Sequence, residues 1–182
     1  MFDGATAFNG NLKNVAAPGD PEYWDGASAT SMKNMVRNSG FNQPDIDDWD
    51  VRNVENFEGM FESCSYNQPF QNFVGSPSVA TNMKRMFYDS PMTRNLNNWD
   101  VSKVLTFESM FDQGAMNNVV SAWNPASATS MRRMFAGVLG ALKSFNNDIT
   151  GWDVSNVEDF SEMFAYNDNF DKAIGAADPN PS

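Results

Sequence analysis

Four of the five tryptophans in this chain are followed by aspartate: Trp24-Asp25, Trp49-Asp50, Trp99-Asp100 and Trp152-Asp153. Two kinds of chemistry could use such pairs. Indole faces stack on sugar rings, so Trp24, Trp49, Trp99, Trp123 and Trp152 could form a sugar-binding ladder. A repeating protein also places large aromatics in a buried column, which is the expected role here. The recurring Asp25, Asp50, Asp100 and Asp153 could bind calcium, with Asp45, Asp47, Asp48 and Asp50 as the densest acidic cluster. Calcium takes roughly six to eight oxygens, and one carboxylate per repeat falls short of that. These aspartates are expected to cap turns instead. Histidine is absent, which removes the commonest general base and the commonest zinc ligand. Cys64 is the only cysteine, so no internal disulfide or multi-thiolate metal site can form. Without a histidine partner it reads as a buried structural thiol rather than a nucleophile. No pair of carboxylates recurs in a way that marks a pocket. The sequence therefore assigns no catalytic residue, cofactor or metal, and the protein is not read as an enzyme.

The amide side chains are the second candidate set. Asn42, Gln43, Asn67, Gln68, Asn95, Asn117, Asn118, Asn146 and Asn147 recur at related positions. They have two readings, amide ladders between repeats or a polar face for a ligand. On the second reading Asn67, Gln68, Asn95, Asn117 and Asn146 are candidate partner-binding residues. Insertions that break the repeat supply the rest, because they map to loops and often form binding surfaces. Lys13 to Tyr23 carries Pro18, Gly19, Asp20 and Pro21. Ala136 to Lys143 carries Val138, Leu139 and Leu142, three apolar residues suited to a partner contact.

The elements that must position these residues follow from a repeat of the form Met/Phe-x-x-Met-Phe. It begins at Met32, Phe57, Met83, Phe107, Met131 and Phe160, so the period runs from 24 to 29 residues. A period of this size is the mark of stacked repeats that bury each other's apolar face. Apolar residues at i, i+3 and i+4 predict a short helix. The residues before the motif are Ser31, Asn56, Asn82, Thr106, Ser130 and Asp159, all of N-cap type. The segments Phe8–Leu12, Tyr66–Phe70, Met92–Leu96, Met116–Val120, Phe145–Ile149 and Phe170–Ile174, with Phe41–Ile46 one residue longer, place an apolar residue at each end and predict a short strand. Their polar centres give poor intrinsic β propensity.

Composition bounds the partners. With 12 basic and 23 acidic residues the net charge is -11, which disfavours phosphate backbones and anionic membranes. Mean hydropathy is -0.48, and no apolar run is long enough to span a bilayer. Nucleic-acid binding and direct membrane insertion are not expected. Met1-Phe2 aligns with the Met-Phe pair of the motif, so the chain is expected to open inside a repeat. More of a parent chain, or a partner chain, would then cover the N-terminal turn.

Phe41-Asn42-Gln43, Trp49-Asp50-Val51, Trp99-Asp100-Val101-Ser102 and Trp152-Asp153-Val154-Ser155-Asn156-Val157 stand beside the Met/Phe motifs. Together they resemble the BspA-like leucine-rich-repeat surface proteins, and more narrowly their short WDVSNVTNMxxMFxxxxxFNQ repeats. The resemblance covers about residues 24–174. Phe73 in place of Trp, the added Gly75-Ser76-Pro77, and Ser28-Ala29 and Ser127-Ala128 in place of Asn-Val depart from it. It implies an α/β class and a right-handed leucine-rich-repeat-like solenoid with one short strand and one short helix per turn of 24–29 residues. Residues 1–174 would form a single repeat body with a partial first turn over 1–23. Residues 175–182 would form an irregular tail. It also implies an extracellular or cell-surface location, and a non-catalytic adhesion or binding module acting on protein or glycan. The alternative is a structural scaffold subunit docked into a larger assembly.

Overall fold

The computed structural model of the protein describes residues 1–10, 12, 27–70, 77–138 and 145–174. Among them the only regular element is one 3-10 helix, Pro44–Asp48, with proline at its start. Among the described residues, β-type pairing between repeats takes the form of isolated parallel bridges. Five run in one line, Ser31 to Asn56, Asn56 to Asn82, Asn82 to Thr106, Thr106 to Ser130 and Ser130 to Asp159, and a sixth joins Ile149 to Ile174. The expectation of an α/β, right-handed leucine-rich-repeat-like solenoid with a strand and a helix in every turn is therefore overturned. Among the described residues no regular helix-and-strand solenoid is seen, and most of the backbone is turn and irregular structure.

The Met/Phe motif folds as turns, not as a helix. In all six copies the fourth residue donates its N–H to the first carbonyl, as in Met60 to Phe57 at 3.1 Å and Met110 to Phe107 at 2.9 Å. The third residue is left-handed every time: Asn34, Gly59, Arg85, Ser109, Arg133 and Glu162 all have φ between 54° and 60°. A second turn follows directly, as in Cys64 to Phe61 and Gly114 to Phe111, with Ser63 and Gln113 at φ 49° and 58°. A left-handed residue every fourth position cannot sit in a right-handed helix. Two consecutive four-residue turns bring their first, fourth, fifth and eighth residues to the same side. The spacing i, i+3, i+4 is thus common to a helix and to a turn pair, which is why the helix expectation failed.

The remaining N–H groups explain why turns prevail. Alternate residues of each motif donate to the next repeat. Phe107, Ser109, Phe111 and Gln113 bond to Ser130, Arg132, Met134 and Ala136 at 2.8 to 3.0 Å. The same four-rung ladder links 32–38 to 56–62, 57–63 to 82–88, 83–89 to 106–112 and 131–137 to 159–165. An isolated helix this short is marginal in water. Here every second donor finds a carbonyl in the neighbouring repeat, and a helix would forfeit those bonds. The residues expected to cap helices cap turns. Asn56 Oδ1 accepts from Glu58 N at 2.9 Å, Asn82 Oδ1 from Lys84 N at 2.9 Å and Asp159 Oδ1 from Ser161 N at 2.8 Å. Ser31, Thr106 and Ser130 do the same through their hydroxyls.

The core is a continuous cluster running through all the described repeats. Met60, Phe87, Met110 and Phe135 are all buried, which fixes the register of the repeats. The fifth motif residues form a column. Phe61, Phe87, Phe111, Phe135 and Phe164 stack at centroid separations of 5.3, 5.7, 5.6 and 5.8 Å. Small residues fill the eighth position: Ser39, Cys64, Ser90 and Gly114. Among the described residues no helix is long and apolar enough to cross a membrane.

Candidate functional site

The tryptophans do not present a sugar-stacking face. Trp49, Trp99, Trp123 and Trp152 are buried, and Trp123 stacks on Trp152 at 6.1 Å. The indole N–H groups of Trp123 and Trp152 donate to Leu96 O and Val120 O of the preceding repeats. Trp24 and Asp25 lie outside the described residues. The aspartates that follow the tryptophans close turns. Asp50, Asp100 and Asp153 each accept through Oδ1 from the N–H two residues on, at 3.2, 3.0 and 3.1 Å. Arg52 holds the Asp50 carboxyl below its ordinary range. Hydroxyls from Ser102 and Ser155 do the same for Asp100 and Asp153. The side chains of Asp45 and Asp48 are outside the described set. Among the described residues no group of three or more His, Cys, Asp or Glu is gathered as a metal site requires. Cys64 is buried, 3.5 Å from Ser39 Oγ and 3.3 Å from Phe41 O, and burial raises its pKa.

The amides separate into two groups. Asn42 Oδ1 accepts from Asn67 N at 2.9 Å, and Asn67 Oδ1 accepts from Thr93 N at 3.0 Å. Asn117 Oδ1 accepts from Asn146 N at 3.4 Å, and Asn146 Oδ1 from Asp171 N at 3.3 Å. The residues one position on point back down the stack. Gln43 and Gln68 donate through Nε2 to Asn9 O and Asn42 O at 3.3 and 3.1 Å. Asn67, Gln68, Asn117 and Asn146 are thus rungs of a side-chain ladder. This ladder replaces the strand expected here, with amide oxygens standing where backbone carbonyls would pair. Val138 is exposed at the start of the apolar insertion, and Leu139 and Leu142 lie outside the described residues.

Asn95 stands apart. Its Oδ1 accepts from Asn97 N at 2.8 Å, closing its own turn, and the residue lines a groove. This groove has a volume of about 580 Å³ and is lined by Pro69, Phe70, Thr93, Arg94, Asn95, Asn98 and Asn118. That volume falls within the range of roughly 300 to 1,000 Å³ usual for small-ligand sites. Phe70 is buried and forms a firm base, while Thr93, Arg94, Asn95 and Asn98 are exposed. Arg94 occupies the position of Gln43 and Gln68. It keeps their ladder bond, donating Nε to Asn67 O at 2.7 Å. Asn118 continues the series with its Nδ2 on Thr93 O. The sequence reading missed Arg94, although aligning Phe41-Asn42-Gln43, Tyr66-Asn67-Gln68 and Met92-Thr93-Arg94 exposes a cation where the other two repeats carry a neutral amide.

Charge elsewhere is paired along the stack. Lys33 meets Glu58 at 2.9 Å, Lys84 meets Glu108 at 2.7 Å, and Arg85 bonds Glu62 through Nε and Nη2 at 3.0 and 2.8 Å. Arg133 bridges Asp112 and Glu162. None of these paired residues is in the groove's described lining. Among the described residues the lining carries no carboxylate and no thiol, and these residues offer hydrogen bonds and a positive charge.

Comparison with curated proteins and with solved structures gives no match. A family model matches twice, over residues 1–95 and 81–180, and the two matches together span nearly the whole repeat array. The chain belongs to the family described as "Mycoplasma protein of unknown function, DUF285".

Proposed function

We propose that this chain is a non-catalytic binding or adhesion module, a segment of a larger cell-surface or extracellular-matrix protein that acts through protein or glycan contacts. The observation that carries this reading is the groove beside Asn95. It joins a buried apolar base to exposed amides and a guanidinium, on a body whose other polar side chains are largely spent between repeats. Polar groups converging on a concave surface are what recognition of an oxygen-rich ligand requires. The Trp-Asp-Val and Phe-Asn-Gln motifs, which resemble those of BspA-like surface proteins, support an extracellular or surface setting. The test is binding of the purified chain to arrays of glycans and extracellular proteins. Saturable binding that is lost in Asn98→Asp, with an unchanged melting temperature, is the expected result. Absence of binding to every probe would overturn the reading.

A structural subunit of a larger assembly is the second reading, and a separate observation favours it. In the last described repeat, Phe160 is 37% and Tyr166 50% exposed, although the first-position residue of every other motif is buried. An apolar face of this kind suits docking. Recovery of the chain from its native source in a complex of fixed stoichiometry would select this reading over the first.

A further inference from the structure

We infer that the groove is a subsite for an acidic saccharide, with Arg94 pairing with a sugar carboxylate and the surrounding asparagines meeting its hydroxyls. This rests on the reading of the chain as a binding module. Arg37, Arg52, Arg85 and Arg133 each pair with a carboxylate, at Asp3, Asp50, Glu62 and Asp112. Arg94 makes no ion pair among the described residues, and its one hydrogen bond, through Nε to Asn67 O, fixes the base of the guanidinium. Its two terminal nitrogens remain available to a planar anion, the geometry in which guanidinium is most selective.

The amides around it decide between ligands. Among the described residues Asn98, Asn95 Nδ2 and Asn118 Oδ1 have no hydrogen-bond partner, so donors and acceptors both line the groove. Sugar hydroxyls donate and accept in turn and use both kinds. A free carboxylate needs donors only and would leave the amide oxygens unmatched, whereas the hydroxyls of an acidic sugar supply donors to them. Pro69, half-buried over the buried Phe70, supplies an apolar surface for the C–H face of a ring. The protein's net charge of -11 opposes any anion at long range. At physiological ionic strength the screening length is about 8 Å, so recognition falls to the groups in the groove itself.

The experiment titrates the full chain at physiological salt with an oligogalacturonide, its fully methyl-esterified form, a neutral glucose oligomer of equal length and an oligo-aspartate. Arg94→Gln supplies the control, because glutamine is the residue of the neighbouring repeats and keeps the ladder bond. The expected result is saturable binding of the oligogalacturonide, with at least a tenfold loss on esterification and a similar loss in Arg94→Gln at unchanged melting temperature. Equal affinity for acid and ester, or no effect of Arg94→Gln, overturns the inference and leaves the binding module intact. Preference for oligo-aspartate also overturns it and points to an acidic protein segment. If no saccharide binds and the arrays yield a protein ligand elsewhere on the body, the inference falls alone. If nothing binds on any array, the functional reading falls with it.

Discussion

At the residue scale, the short polar side chains act on the backbone of their own turn and on one another within it. Asp153 accepts from Ser155 N at 3.1 Å and from Ser155 Oγ at 2.7 Å, and Asp159 and Ser161 repeat the arrangement at 2.8 and 2.5 Å. Seven aspartates are held below the ordinary carboxylate range by such contacts: Asp3 by Arg37, Asp50 by Arg52, Asp100 by Ser102, Asp148 by Thr150, Asp153 by Ser155, Asp159 by Ser161 and Asp171 by Lys172. A lowered folded value means the unfolded chain takes up protons first as pH falls. Their contribution is therefore complete above the unfolded value of about 3.9 and is lost as pH drops through the lower folded values. The melting temperature is expected to fall steeply below about pH 4, and less steeply in Asp153→Asn. Identical acid profiles for the two proteins would show that these turn caps do not couple to folding.

At the scale of the element, the sign of one substitution separates a turn pair from a helix. Ser63 holds φ 49° at the third position of the second turn, and its side chain reaches only the exposed Asp89 at 3.3 Å. A left-handed conformation costs an L-residue about 1 to 2 kcal/mol, while glycine adds about 0.5 to 1 kcal/mol in unfolded-state entropy. Ser63→Gly is expected to raise stability by roughly 0.5 to 1 kcal/mol in denaturant unfolding. In a helix the same change would lower it by about as much. The companion case is Gly59→Ala, where φ is 60° and a Cβ would meet Asn34 Oδ1, so the Asn34 side chain must swing aside and the alanine bears the left-handed strain, and stability drops. This also locates what the sequence makes legible. Period, register, buried core and the capping residues can be read from residue type, because each position keeps one chemical class. The element type cannot, since i, i+3, i+4 is shared by helix and turn pair. What decides it is the ladder to the next repeat, a non-local term. The amide ladder was legible as one of two readings. Arg94 was hidden because it matters as a departure from Gln43 and Gln68, visible only once the rungs are aligned.

For the whole molecule, stability is a sum over neighbouring repeats, so the same residue type weighs differently by place. Phe111 lies in mid-column between Phe87 and Phe135. Phe111→Ala is expected to cost about 3 to 5 kcal/mol, whereas Phe160→Ala, at a partly exposed position, costs far less. Chemical denaturation of both variants measures the difference. The backbone ladder gives a sharper form of this argument. Phe107, Ser109, Phe111 and Gln113 each donate to the next repeat. The equivalent N–H groups of Phe160, Glu162, Phe164 and Tyr166 have no acceptor among the described residues, while Met163 N, Ala165 N and Asn167 N close their own turns at 2.9 to 3.0 Å. Exchange of an amide follows the free energy of the opening that exposes it. Hydrogen exchange on the isolated chain is therefore expected to show strong protection at 107, 109, 111 and 113. Near-free exchange is expected at 160, 162, 164 and 166, with intermediate protection at 163 and 165. The alternation is the informative part, because fraying of the whole segment would release 163 and 165 as readily as their neighbours. Protection at 160–166 equal to that at 107–113 would mean that an acceptor edge already covers this face in solution. Added chains that restore protection at the even-numbered positions would identify themselves as the repeat's continuation.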